Sequence, residues 1–291
     1  MWSPPATAGV SLCATWTPSR ETRMAWLWLA NGLYGNVFTR ASGTALNTSN
    51  DMWDSELREI QDRASAANEL VEGITGELGQ FPFDKPTDRT RLALTLLKSS
   101  IDLASASTRL LRLDPIQYGS ASATLARPQL ERFLRGTFFG SPALTTDEEV
   151  SAFLTKEDLP KRTHEDGQVR QVTFSFLTRM VEEQILRQAG HHVGTSGLTA
   201  TLKRAMTYLN GSVHGGTIVH ASYGNDMVCF DPRPFATGEL LTNIVVMALL
   251  AMTQIGQIHS NYEDANRISF TARFDTVFRA YFKGADVPHP L

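Results

Sequence analysis

The fold class that this sequence predicts is all-α, and three observations predict it. Apolar residues recur at alternating gaps of four and three over long stretches, the period of one buried helix face. Helix-start signals fall between those stretches: Thr87-Asp88, Asp114-Pro115, and Thr146 followed by Glu149. One segment, Leu240 to Ile258, is apolar on all sides, as expected of a helix at the centre of a bundle. The expectation is a single bundle of seven or eight helices over residues 52–283. A poorly ordered N-terminal extension, 1–51, precedes it and a short tail, 284–291, follows.

The first helix is carried by Trp53, Leu57, Ile60, Ala64, Ala67, Val71, Ile74 and Leu78. They form one stripe about seven turns long, with Ser49, Asn50 and Asp51 as available N-caps and Gly79 and Pro82 as the stop. The small Ala positions suit close packing inside a bundle better than a coiled coil. A second helix starts at Thr87-Asp88 and runs through Leu92, Leu96, Leu97, Ile101 and Leu110 to about Leu113. Asp114-Pro115 restarts the chain, an N-cap followed by proline at the first helical position. The third helix runs toward Phe139, and Pro128 inside it predicts a kink or break near Ala126.

Thr146-Asp-Glu-Glu149 reads as a capping box for a short fourth helix ending at Pro160. Residues Lys161 to Gln168 are polar and read as a loop. A fifth helix covers about Arg170 to Gln188 and stops at Gly190, although Val169, Gln171, Thr173 and Ser175 also permit a strand. Thr195 and Ser196 cap a sixth helix, Leu198 to about His214. The stretch from Gly215 to Pro234 is irregular, long enough for a functional loop. Thr237 is expected to cap a seventh helix through Gln257, and Asn261 to Lys283 forms an eighth. The uninterrupted apolar run in the seventh, Ile244 to Met252, is far shorter than the roughly twenty residues a bilayer needs. Core helix is therefore the expectation, with no membrane association.

Composition narrows the function classes. A net charge of −3 and a pI near 6.2 argue against a globally basic nucleic-acid binder. Two cysteines, Cys13 and Cys229, form no disulfide framework, which fits a reducing, cytoplasmic setting. All five tryptophans lie in the first 53 residues, and Arg20, Glu21, Arg23, Arg40 and Asp51 are the only charges up to position 51. That composition shift marks a boundary, consistent with an extension read from upstream of a natural start at Met52. Walker-type, dinucleotide-binding and Gly-x-Ser-x-Gly patterns are absent from the sequence. No cofactor and no resident metal are expected.

The densest set of chemically capable side chains is Tyr208-Leu-Asn210-Gly-Ser-Val-His214-Gly-Gly. His214 would sit at a helix C-terminus, where the macrodipole favours imidazolium, with Asn210 one turn back on the same face. It can act as base or acid with Tyr208 and Asn210 orienting it, or simply cap the last carbonyls. Arg127, Glu131 and Arg135 are spaced by four and share a helical face, a row that can meet an anion or pair internally. His191, His192, His214 and His220 lie within thirty residues of one another, one helix away from Glu182 and Glu183, but match no closed zinc spacing.

The run from Tyr208 to Gly215, with Arg127-Pro128-Gln-Leu-Glu131-Arg-Phe-Leu-Arg135, resembles signatures of an uncharacterised bacterial all-helical family that is itself distantly similar to HEPN-like domains. The resemblance would span about Met52 to Lys283. It implies an all-helical domain and a link to defence or toxin-like RNA cleavage without a metal. HEPN ribonucleases carry an arginine and a histidine separated by four to six residues, usually across a dimer interface. Arg187 and His192 have that spacing and form an alternative pair to His214, and Arg127 would then meet phosphate.

Three readings therefore stand. The first is a helical protein acting through protein or nucleic-acid partners, with a homodimer as one form. The second is a HEPN-like RNA-cleaving or RNA-binding protein. The third is a metal-dependent helical enzyme.

Overall fold

In the computed structural model, residues 50–79, 86–164, 167–188 and 234–260 are described. They form six helices packed as a bundle, and one two-stranded hairpin. The helices are α1 (Asn50–Leu78), α2 (Asp88–Leu113), α3 (Pro115–Gly140), α4 (Asp147–Lys156), α5 (Phe174–Gln188) and α6 (Pro234–Ser260). The strands, β1 (Lys161–Thr163) and β2 (Val169–Gln171), lie between α4 and α5.

Three of the predicted caps are made. Thr87 Oγ1 accepts from Thr90 N at the start of α2. Asp114 Oδ1 accepts from Ile116 N and Gln117 N at the start of α3, with Pro115 following. At α4 the box is reciprocal: Thr146 Oγ1 accepts from Glu149 N, and the Glu149 carboxylate accepts from Thr146 N. Of the α1 stripe, Ile60, Ala64, Ala67, Val71 and Ile74 are buried.

Helices α2 and α3 form the tightest pair, and small residues explain why. Thr90, Ala93, Leu97, Ser100, Ala104, Ser107 and Leu111 alternate gaps of three and four along α2, and all are buried. Pro115, Gly119, Ser122, Ala126, Gln129, Phe133 and Gly136 do the same along α3. The two backbones come so close that Ser107 Oγ donates to Ser122 O (3.2 Å) while Ser122 Oγ donates to Ser107 O (3.1 Å). Ser100 Oγ likewise donates to Gln129 O. Gly136 abuts Leu97 with no room for a Cβ.

Helix α6 packs against α1, α2 and α3. By length and composition it could cross a membrane, but 78% of its apolar window, Leu240–Ile258, is buried inside the protein. Leu241, Ile244, Leu249 and Met252 are among the largest fully buried side chains, with Phe133, Phe138 and Phe139 of α3. Gln129 of α3 anchors the contact, donating through Nε2 to Ile244 O at 2.9 Å.

Six expectations are corrected. Helix α3 runs unbroken through Pro128. A proline there removes a single backbone bond, to the Thr124 carbonyl, and packing of α3 against α2, α5 and α6 outweighs that loss. Residues 161–163 are not loop, and at 169–171 the strand that the sequence also permitted forms in place of a helix start at Arg170: the two segments pair antiparallel, Lys161 with Gln171, Arg162 with Arg170 and Thr163 with Val169. Gly167, at φ +76, serves the connection. Helix α5 consequently starts at Phe174, where Thr173 Oγ1 accepts from Phe176 N. Helix α4 ends at Lys156, not Pro160, because Glu157 turns left-handed at φ 55. Finally, α1 begins at Asn50 and α6 at Pro234, which puts Asn50, Asp51 and Thr237 inside their helices. The extension up to Ser49, the helices expected over 198–214 and 261–283, and the tail lie outside the described residues.

Candidate functional site

The structure treats the sequence-derived candidates unevenly. His214, Tyr208, Asn210 and His192 lie outside the described residues, as do His191 and His220. Arg187 is described, in the last turn of α5, where its guanidinium pairs with Glu183 at 3.1 Å. Glu182 is buried on the same helix. Among the described residues, no group of three metal-capable side chains comes together.

The row Arg127, Glu131, Arg135 is intact, since α3 does not break between them, and its members are engaged. Arg127 stacks over the Phe174 ring at 3.9 Å from the centroid. Burial of that guanidinium lowers its pKa, an effect that Glu131 opposes; at neutral pH it stays charged. Arg135 pairs with Glu131 at 2.6 Å and lies 6.0 Å from the Phe153 centroid. The row thus ties α3 to the first residue of α5 and approaches α4.

Two other arginines act as internal latches that the sequence did not single out. Arg89, 13% exposed, donates to Phe139 O, Thr145 O, Thr145 Oγ1 and Asp147 Oδ1, joining the start of α2 to the α3–α4 corner. Arg162 of β1 donates to both carboxylate oxygens of Glu149, at 2.6 and 2.9 Å, and to Leu144 O. Its hydrogen bonds hold the Glu149 carboxyl below its ordinary pKa, and the carboxylate raises that of Arg162. The fork geometry of guanidinium explains why arginine serves at both places.

A different arrangement occurs on the open side of α1 and α2. There a groove of about 360 Å³ is lined by Glu72, Thr75, Asp102, Ser105, Ala106 and Arg109. On α2, residues 102, 105, 106 and 109 fall on one face by their spacing. On α1, Glu72 and Thr75 face them. At one end Arg109 Nη2 donates to Glu72 Oε1 at 2.9 Å, both side chains about half exposed. The Glu72 carboxyl is held below its ordinary pKa by the neighbouring Asn68 amide, whose Nδ2 reaches no acceptor at hydrogen-bond distance, and by the directly bonded Arg109. At the other end Asp102 and Ser105 make no side-chain hydrogen bond or ion pair among the described residues. Thr75 Oγ1 donates to Val71 O, so its lone pairs remain available to a donor. Behind the groove Asn68 is 1% exposed and accepts from Thr108 Oγ1.

Sequence reasoning missed this groove because each half reads as a solvated helix face. The available signal was Asp102, Ser105 and Arg109 at gaps of three and four on α2, which gains meaning only with Glu72 and Thr75 opposite. Compared with protein-family models, with curated proteins and with solved structures, the chain matches none.

Proposed function

We propose that this chain is a helical binding protein that works by engaging a partner at the α1–α2 groove. What carries the reading is a contrast in how charge is used. The arginines of α3, Arg89, Arg162 and Arg187 are engaged in contacts within the chain. The Glu72–Arg109 pair is internal too, but the groove it borders also holds Asp102, which makes no side-chain hydrogen bond or ion pair among the described residues. Concave surfaces with a few convergent polar groups are where ligands and partners bind.

The test is site-specific photo-cross-linking. A photoreactive residue at Ala106, exposed in the groove, is expected to give discrete adducts in cells. The same residue at Ala121, exposed on α3, is not. Asp102→Lys together with Glu72→Lys should abolish the Ala106 adducts. Adducts unchanged by that charge reversal, or no adduct at Ala106, would refute the reading. An adduct at Ala106 made of RNA would turn it toward the RNA-binding alternative.

A further inference from the structure

A buried donor lies unpaired beneath the Glu72–Arg109 end of the groove. Asn68, one turn before Glu72 on α1, is 1% exposed, and its Nδ2 has no hydrogen-bond partner among the described residues. Its Oδ1 accepts from Thr108 Oγ1 at 3.3 Å. Nδ2 is turned the other way, toward the Glu72 carboxyl, whose pKa the Asn68 amide lowers more than any other group does. We infer that this end of the groove takes a primary carboxamide, the side chain of a glutamine or asparagine of a protein partner. The inference rests on the binding reading above and names the group bound.

The Glu72 carboxylate accepts from Arg109 Nη2 through Oε1 at 2.9 Å, while its Oε2 accepts from no described residue. An unmet donor, Asn68 Nδ2, thus lies beside a carboxylate with an acceptor oxygen to spare. A buried N–H without an acceptor is costly, and an entering oxygen removes that cost. A primary carboxamide carries the complement on one edge, a carbonyl oxygen for Nδ2 and an N–H for Oε2. A trans peptide group points its C=O and N–H in opposite directions and cannot meet both. A carboxylate brings no donor for Oε2 and meets the like charge of Glu72 and Asp102, and an ammonium brings no acceptor for Nδ2. The charges of Glu72 and Arg109 cancel, which suits a neutral group. Access needs the movement of one side chain. On a helix a side chain leans over the preceding turn, so Glu72 covers Asn68. Glu72 is itself about half exposed, and its rotation opens the way to Nδ2 without a shift of the backbone.

The experiment follows the Asn68 side-chain amide resonances of the full, isotope-labelled chain by NMR. One probe is N-acetylglutamine N-methylamide and a second is its glutamate counterpart. The third is the glutamine compound dimethylated on its side-chain nitrogen, which keeps the carbonyl and loses the N–H donors. Saturable shifts of the Asn68 resonances are expected with the glutamine probe, and binding about tenfold weaker with either of the others. Glu72→Ala, at a half-exposed position that leaves the core untouched, is expected to weaken the glutamine probe about tenfold as well. Equal binding of the dimethylated or the glutamate probe overturns the inference, as does Glu72→Ala binding like wild type. So does failure of the glutamine probe to bind, or binding that leaves the Asn68 resonances in place. Failure of the probe leaves the binding reading standing if charge reversal still removes the Ala106 cross-links.

Discussion

Glycine-to-alanine substitution at three helical positions measures how closely the helices approach, because the same chemical change should act with different signs. In an exposed helix interior the change stabilises by about 0.5–1 kcal/mol, through better helix propensity and a less flexible unfolded chain. Gly76 of α1 is such a site: a Cβ there would meet nothing within 4 Å. At Gly136 of α3 the Cβ would lie 2.7 Å from Leu97 Cγ and 3.1 Å from the Leu97 backbone nitrogen. The side chain could rotate, but the backbone can yield only if α2 moves. Overpacking of this kind costs about 1–3 kcal/mol, so the net effect after the propensity gain of about 0.5–1 kcal/mol is a loss of up to about 2.5 kcal/mol. Gly140 is intermediate, its Cβ at 3.1 Å from Ala93 Cβ and 3.2 Å from Ile258 Cδ1, and a near-neutral result is expected. The assay is urea unfolding followed by far-ultraviolet circular dichroism, with the slope checked for two-state behaviour. The order Gly76→Ala above Gly140→Ala above Gly136→Ala is required. If Gly136→Ala stabilises as much as Gly76→Ala, α2 and α3 do not pack backbone to backbone as described.

Three further outcomes are expected. Arg89→Met removes donors to buried carbonyls and to Thr145 and should destabilise by about 2–4 kcal/mol; Arg89→Lys should recover only part of this because it lacks the fork. The folded-state pKa of Glu149 lies below its ordinary value of 4.5, so its contribution is present above that pH and is lost as pH falls through the lowered value. Acid unfolding of the wild type should therefore show a stability loss below about pH 4.5 that is smaller in Glu149→Gln, and equal acid sensitivity of the two would remove the Arg162–Glu149 latch as a stabilising pair. On the binding reading, RNA integrity and growth are the same in cells expressing the wild type and His214→Ala; wild-type RNA loss that the variant abolishes would favour the HEPN-like alternative instead.

Local sequence was sufficient for most of the helical architecture. Thr87, Asp114 and the Thr146–Glu149 box each satisfy orphan backbone N–H groups through their own neighbours, so their positions announced three helix starts correctly. The α1 stripe and the uniformly apolar α6 were legible for the same reason: burial of a helix face imposes its period on the residues that form it. The hairpin was harder to read, since strands of three residues carry too few positions for an alternation to show. Pro128 misled because its local cost is real, while the packing that offsets it comes from other helices.

Among the described residues, the sequence by itself determined most of the helical segments, where several of them start, and which faces turn inward, because these depend on contacts within a few residues. Only the tertiary structure decided which faces meet. It placed the small residues of α2 against those of α3, and stacked Arg127 of α3 over Phe174. It also set Glu72 and Thr75 opposite Asp102, Ser105 and Arg109. Such pairings join residues 15 to 47 positions apart in this chain, beyond the reach of any helical period, and they follow from how whole surfaces fit rather than from any local preference.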